Sequence, residues 1–386
     1  MNIITTTDDL SALCARLAGA PFITVDTEFM RESTYWPKLC LVQIAGPDEA
    51  AAIDPLAPGL SLEPLLAMMR NRDQLKVFHA ARQDLEIFYH LMGEVPAPIF
   101  DTQVAAMVCG FGEQVGYETL VNTLAGATID KTSRFTDWSK RPLTERQVTY
   151  ALSDVTHLRT IYKKLVARIA KSQRDSWLGE EMAILAEPKT YLVEPQEAWM
   201  RLKTRSTNPK FLAALRAVTA WREIEARARD IPRSRILRDE ALLEIAGDPP
   251  STVEGLLRVR GMSRGLAEGS AGANLLQALT AAFAAGPASW PQVEKTEPLP
   301  KGIGPLIELL KVLLKLKCDE HDVAQKLVAS TADLEAIAVS DDANVAALHG
   351  WRRELFGEDA LALKHGKLAL AAQGKRIRLI RLDSAA

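Results

Sequence analysis

The chain has 386 residues, too many for one ordinary domain, with 47% hydrophobic and 25% charged residues as in a globular protein of two or three domains. It shows no secretory leader and no apolar run long enough to span a bilayer, which excludes membrane-embedded classes and makes the cytoplasm the expected compartment. The net charge of −2 conceals an asymmetry: residues 1–200 carry 19 Lys+Arg against 26 Asp+Glu, and residues 201–386 carry 28 against 23. A basic second half attracts polyanions, while an acidic first half needs cations to touch one.

In chain order, Thr7 to Ala18 reads as a short helix, with Asp8 and Asp9 in its first turn. Phe22 to Met30 follows as a buried strand, rich in β-branched and aromatic residues. Strands are also expected at Leu39–Ala45 and Ala50–Asp54, and the short spacing predicts an antiparallel meander. Leu60–Met69 reads as a helix, Lys76–His79 as a strand running into a helix over Ala80–Leu91, and Ile99–Phe100 as a strand. Asp101 is the expected N-cap of a helix through Cys109. A helix from Tyr117 ends near Gly126, and a polar connector spans Asp130–Leu143. Thr144-Glu-Arg-Gln147 fits a capping box ahead of a long amphipathic helix. Strands and helices mixed in this way predict an α/β domain over residues 1–170. After a connecting segment over 171–207, two helical units are expected at 208–286 and 303–386, joined by a Pro-rich linker at 287–302.

Within the first strand, Asp26 and Glu28 share a face about 7 Å apart at Cα. Two acids on a core strand require a cation between them; the bland alternative is a strand end with two solvated acids. Asp84 opens the helix after the His79 strand, and Asp154 lies in the long helix one turn after Tyr150. Four carboxylates from three separate elements converge only around hard cations such as Mg2+ or Mn2+. A pair of such ions suits phosphodiester displacement, with the Tyr150 phenol orienting the attacking water.

Val25-Asp-Thr-Glu-Phe29, Phe78-His-Ala-Ala-Arg-Gln-Asp-Leu85 and Tyr150-Ala-Leu-Ser-Asp154 resemble the three exonuclease motifs of the DEDD superfamily, in its tyrosine subtype. Tyr35-Trp-Pro-Lys-Leu-Cys-Leu-Val-Gln-Ile44 continues the first of these motifs, and Asp130-Lys131, Asp137-Trp138 and Arg141-Pro-Leu-Thr144 are similar to the ribonuclease D family in particular. Leu215–Arg222, Ala226–Pro232 and Leu256–Ser263 resemble a helicase-and-RNase-D C-terminal (HRDC) domain, of which residues 303–386 would be a second, diverged copy. The resemblance implies a ribonuclease H-like α/β exonuclease domain, a mixed sheet flanked by helices, followed by two all-α HRDC-type domains. It also implies Asp26, Glu28, Asp84 and Asp154 as ligands of two divalent cations, and Tyr150 as the residue that positions water.

The implied activity is 3′→5′ removal of nucleotides from RNA, tRNA precursors above all, by a monomer that engages no membrane. A DNA 3′→5′ exonuclease and a non-catalytic RNA-binding scaffold are the alternatives. Thr27, Phe29, Met30, His79, Lys131 and Arg141 are candidate RNA contacts. Against them stand ordinary packing for Phe29 and Met30 and a hydrogen-bonded corner for His79, while no spacing fixes Lys131 or Arg141. Arg222, Arg227, Arg229, Arg233, Arg235 and Arg238 form a basic cluster, read either as a nucleic-acid surface or as a solvated face. The tail Lys375–Arg381 alternates basic and apolar residues and reads as a final strand or an RNA contact.

Overall fold

A computed structural model describes residues 3–133, 136–292 and 298–382. The first domain comprises β1 (Ile3–Ile4), α1 (Thr7–Leu17), β2 (Phe22–Met30), β3 (Lys38–Ala45), β4 (Ala50–Ile53), α2 (Glu63–Arg70), β5 (Leu75–Phe78), α3 (Arg82–Met92), β6 (Ile99–Asp101), α4 (Thr102–Val108), α5 (Tyr117–Leu120) and α6 (Glu145–Ser172). The sheet order is β1-β4-β3-β2-β5-β6. The antiparallel meander is β2-β3-β4, and β1, β5 and β6 add to it in parallel, giving the mixed sheet. β1 has two residues, too few to leave a periodic signal.

Alternation along β2 divides the two faces. Ile23 and Val25 join Leu10, Leu13, Leu85 and Phe88 beneath α1 and α3, while Phe22 faces Leu158 and Ile161 of α6. Thr24 Oγ1 bonds the carbonyl of Val155 at 2.8 Å and so fixes α6 across the strand that carries Asp26. The capping box at the start of α6 is complete: Thr144 accepts from Gln147 N, and the Gln147 side chain accepts from Thr144 N. Between Glu28 and Phe29 the β2–β3 register slips, with Cys40 the extra residue. Such a bulge bends the strand end and leaves a ladder group to be satisfied elsewhere.

The connecting segment is built rather than loose: it contains α7 (Asp175–Ala186), whose Leu178 is buried against α4 and α6. Beyond it, α8 (Pro209–Ala228) leads the first helical unit, and Gly304–Glu320 leads the second. The two units share a spacing. In the first, Asp230 (φ 46) is followed by helices Arg233–Ile236 and Asp239–Gly247; in the second, Asp322 (φ 46) is followed by Gln325–Val328 and Thr331–Val339.

Both units dock on the first domain at these turns. The Asp230 carboxylate accepts from the backbone N–H groups of Tyr35 (3.1 Å) and Trp36 (3.0 Å). The Asp322 carbonyl accepts from Arg174 at 3.1 Å. The turn at Asp322 lies so close to Gly110 (φ 77) that a Cβ there would sit 2.8 Å from the Asp322 backbone. Trp177 stacks on Trp351 at 4.2 Å, adding a second anchor.

The helical expectation for 303–386 needs one amendment: β7 (Leu368–Gln373) and β8 (Arg376–Arg381) close the unit as an antiparallel ribbon, so the tail ends in a strand. No helix among the described residues is long and apolar enough to cross a membrane.

Candidate active site

Asp26 and Glu28 point from β2 toward α6, where Asp154 meets them, and one oxygen from each lies within 4.8 Å of the others. Tyr150, one turn earlier on α6, lines the same cavity of about 510 Å³. Asp84 approaches from α3, on the other side of β2, and its Oδ1 accepts a short hydrogen bond from Thr27. Thr27 points opposite to Asp26 and Glu28, which is why it reaches Asp84. Three of the four acids therefore form one tight cluster, and the fourth flanks it.

Acids dominate the described lining of the cavity. Asp26, Glu28, Asp84, Glu118 and Asp154 line it, with no Lys or Arg among the described lining residues. Burial, and then the charge of Asp154, raises the Asp26 pKa well above the usual carboxylate range. Burial and the charge of Asp26 do the same to Asp84. Carboxylate oxygens gathered this closely are the donor set that a hard divalent ion takes.

The wall contains residues that sequence reasoning missed. Tyr117, at the start of α5, donates to the carbonyls of Asp154 (2.6 Å) and Ser153 (3.1 Å). Burial, then the nearby acids Asp154 and Asp26, pushes its pKa upward, so the phenol stays protonated. Gln83, Glu118 and Thr119 also line the cavity. The only sequence signal for Tyr117 is an aromatic residue at a helix start, which is far too common to single it out.

The candidate RNA contacts divide. Thr27, Phe29 and His79 line the cavity. The Thr27 hydroxyl is engaged by Asp84, and His79 Nδ1 lies 3.0 Å from Thr102 Oγ1. Burial lowers the His79 pKa to about 4, so this ring is neutral near pH 7. Met30 packs with Cys40, Leu41 and Trp138 instead. The side chain of Lys131 lies outside the described residues.

Arg141 is better explained as a clamp than as a phosphate contact. Its guanidinium pairs with both oxygens of Asp54 at 2.6 and 2.7 Å, and it donates to the carbonyls of Trp138, Lys140 and Cys40. The Cys40 carbonyl belongs to the residue that the bulge displaces, so Arg141 satisfies the group that the ladder leaves over. All five of its N–H donors are thereby committed.

The arginine cluster behaves similarly. Arg222 holds Asp239 and the Leu237 carbonyl, and Arg229 pairs with Glu225. Arg227 and Arg233 converge with Tyr35 on the buried Glu223, at the junction with the first domain. Arg222, Arg227 and Arg233 thus brace the fold, Arg229 is engaged within its own helix, and Arg235 and Arg238 are left for a nucleic-acid surface.

Against known proteins, residues 1–170 match the 3′-5′ exonuclease family and residues 211–279 the HRDC domain family. The chain is 50% identical to Ribonuclease D of Gluconacetobacter diazotrophicus, covering 98% of this chain and 96% of the relative. It is 52% identical to Ribonuclease D of Nitrobacter hamburgensis, covering 98% of each. This chain belongs to the ribonuclease D family. Its fold superposes on the crystal structure of Escherichia coli RNase D, an exoribonuclease involved in structured RNA processing, with a TM-score of 0.79 and 31% identity, covering 95% of this chain and 99% of that one. The ribonuclease D relatives and the exonuclease domain make the chain a 3′→5′ exoribonuclease with RNA as its partner. The exonuclease family is divalent-metal dependent, and the Asp26–Glu28–Asp154 cluster is where this ribonuclease D family member offers a cation its ligands.

Proposed function

We propose that this exoribonuclease uses two divalent cations, Mg2+ or Mn2+, to release nucleoside 5′-monophosphates one at a time, and that its main role is 3′ maturation of tRNA precursors. The observation that carries the metal reading is the cluster of Asp26, Glu28 and Asp154, one oxygen of each within 4.8 Å of the others. Together with Asp84 these residues would hold the cations, which supply positive charge to the attacking and leaving oxygens of the displacement.

The chain's own groups do the positioning. Tyr150 orients the attacking water through its phenol, a hydrogen-bonding group. Phe29 offers an apolar face to the terminal base, an interaction of about 1–3 kcal/mol. Thr27 holds Asp84 from behind. The neutral His79 adds a polar wall without charge. An unpaired 3′ end suits such a cavity, because single-stranded RNA can splay its bases.

We read the second helical unit as a diverged copy of the HRDC domain, on the shared spacing of the Asp230 and Asp322 turns and the helices after them. We further propose that the chain acts as a monomer in the cytoplasm.

The test is a gel. Purified protein is mixed with 5′-labelled RNA, with DNA of the same sequence, and with a tRNA carrying extra 3′ nucleotides, in Mg2+, Mn2+ or EDTA. A metal-dependent ladder on RNA, trimming of the tRNA to its mature end and spared DNA are expected. Equal or faster DNA shortening would overturn the preference for RNA, and binding without cleavage in either metal would overturn the catalytic reading.

A further inference from the structure

The β7–β8 ribbon is unlike the rest of the second helical unit. Leu370 and Leu379, directly paired, turn toward the helices and join their core. The neighbouring positions therefore face away: Arg376, Arg378 and Ile380 on β8, opposite Gln373, Ala371 and Ala369 on β7. Arg378 and Ile380 are opposite alanines, and Arg376 is opposite Gln373. Lys367 before β7 and Lys375 at the hairpin turn are exposed, as are Arg376 and Arg378.

Residues 364–382 contain six Lys or Arg and no Asp or Glu. The ion pairs made there join Lys364 and His365 to Asp341 and Arg381 to Asp359. Among the described residues, no carboxylate pairs with Lys367, Lys375, Arg376 or Arg378; Arg378 bonds only the Gln373 amide oxygen, at 3.2 Å. Charge on an exposed strand also discourages edge-to-edge aggregation. That purpose is served by either sign, whereas this ribbon is uniformly cationic on a chain of net charge −2.

We propose that the β7–β8 ribbon binds the phosphate backbone of the RNA body while the 3′ end occupies the carboxylate cavity. The inference rests on the exoribonuclease reading and adds a surface outside the matched exonuclease and HRDC segments. Arg376 and Arg378, two residues apart on one strand face, lie about 7 Å apart at Cα, and each can take a separate phosphate. Contacts of this kind are independent of sequence and carry a salt dependence of roughly 0.7–0.9 in log–log slope per phosphate.

The test compares the full chain with R376E/R378E and R376K/R378K on two RNAs: a single-stranded pentanucleotide, and a stem-loop with that pentanucleotide as its 3′ tail. Binding is measured in EDTA across a salt series, and shortening in Mg2+. R376E/R378E is expected to bind the stem-loop at least about tenfold more weakly, with a salt slope lower by about 1.5. It should shorten the pentanucleotide at the parent rate, and R376K/R378K should match the parent throughout. Unchanged stem-loop affinity and slope in R376E/R378E would overturn the proposal, as would equal loss on the pentanucleotide. A parent protein that shortens neither RNA would instead overturn the exoribonuclease reading, and the ribbon with it.

Discussion

The phenol of Tyr117 donates to the carbonyl oxygen of Asp154 at 2.6 Å, tying the start of α5 to the turn of α6 that carries both Tyr150 and Asp154. Tyr117→Phe keeps the ring beside His79 and removes only the hydroxyl. Losing one such bond costs about 1 kcal/mol, so turnover should fall roughly fivefold. Half-maximal activity should need more Mg2+, while RNA affinity in EDTA stays the same. A metal dependence identical to that of the parent would show that the bond does not position Asp154.

Asp26→Asn should abolish hydrolysis while leaving RNA binding intact. It should also raise the melting temperature of the metal-free protein by several degrees, because it removes a buried charge whose nearest companions are acids. Saturating the parent with cation at a hundred times its Kd should stabilise it by about 2.7 kcal/mol, and the variant by much less. Calorimetry with and without Mn2+ checks both; a variant that melts earlier than the metal-free parent would contradict the repulsion argument.

Arg141→Ala is expected to act on stability. Asp54, whose side chain is 9% exposed, would lose its only ion pair among the described residues, and the Cys40 carbonyl would lose its donor. Breaking a pair this buried costs about 2–4 kcal/mol. Urea unfolding should show that loss, while the salt slope of RNA binding stays fixed. A reduced slope with unchanged stability would restore Arg141 to the RNA interface.

The junction of the first helical unit should weaken in acid. Burial alone would raise the Glu223 pKa, but hydrogen bonds from Arg233 and Tyr35, with the charges of Arg233 and Arg227, pull it below the ordinary glutamate value. A carboxylate depressed on folding contributes its full stability above the unfolded value of about 4.3 and loses it as pH falls through the folded one. The stability difference between the parent and Glu223→Gln should therefore be constant from pH 7 to about 5 and shrink below that. Denaturant titrations across pH would reveal it, and a difference that grows in acid would refute the assignment.

Much of the site was legible because it rests on local periods. The alternation of β2 put Asp26 and Glu28 on one face, the helical turn joined Tyr150 to Asp154, and Thr144 with Gln147 marked where α6 begins. Thr27 was legible as a neighbour but not as the support of Asp84, since that contact crosses to the opposite face of the strand. Arg141, Arg222, Arg227 and Arg233 were misleading for one reason: a sequence displays their charge but not partners such as Asp54, 87 residues away, or Tyr35 in another domain. The bulge at Cys40 had no signature at all, and its consequence, a carbonyl in need of a donor, is what recruits Arg141.

The matching turns at Asp230 and Asp322 grip with different atoms. At 230 the side chain is the hook, so Asp230→Gly would release Tyr35 and Trp36 while leaving the turn comfortable. At 322 the hook is the main-chain carbonyl, which every amino acid possesses, and Asn or Gly at that left-handed position would hold Arg174 just as well. One unit is thus answerable to selection letter by letter at its anchor, and the other only for its backbone path. The second unit has the freedom to drift out of recognition as text while keeping the same handshake in space.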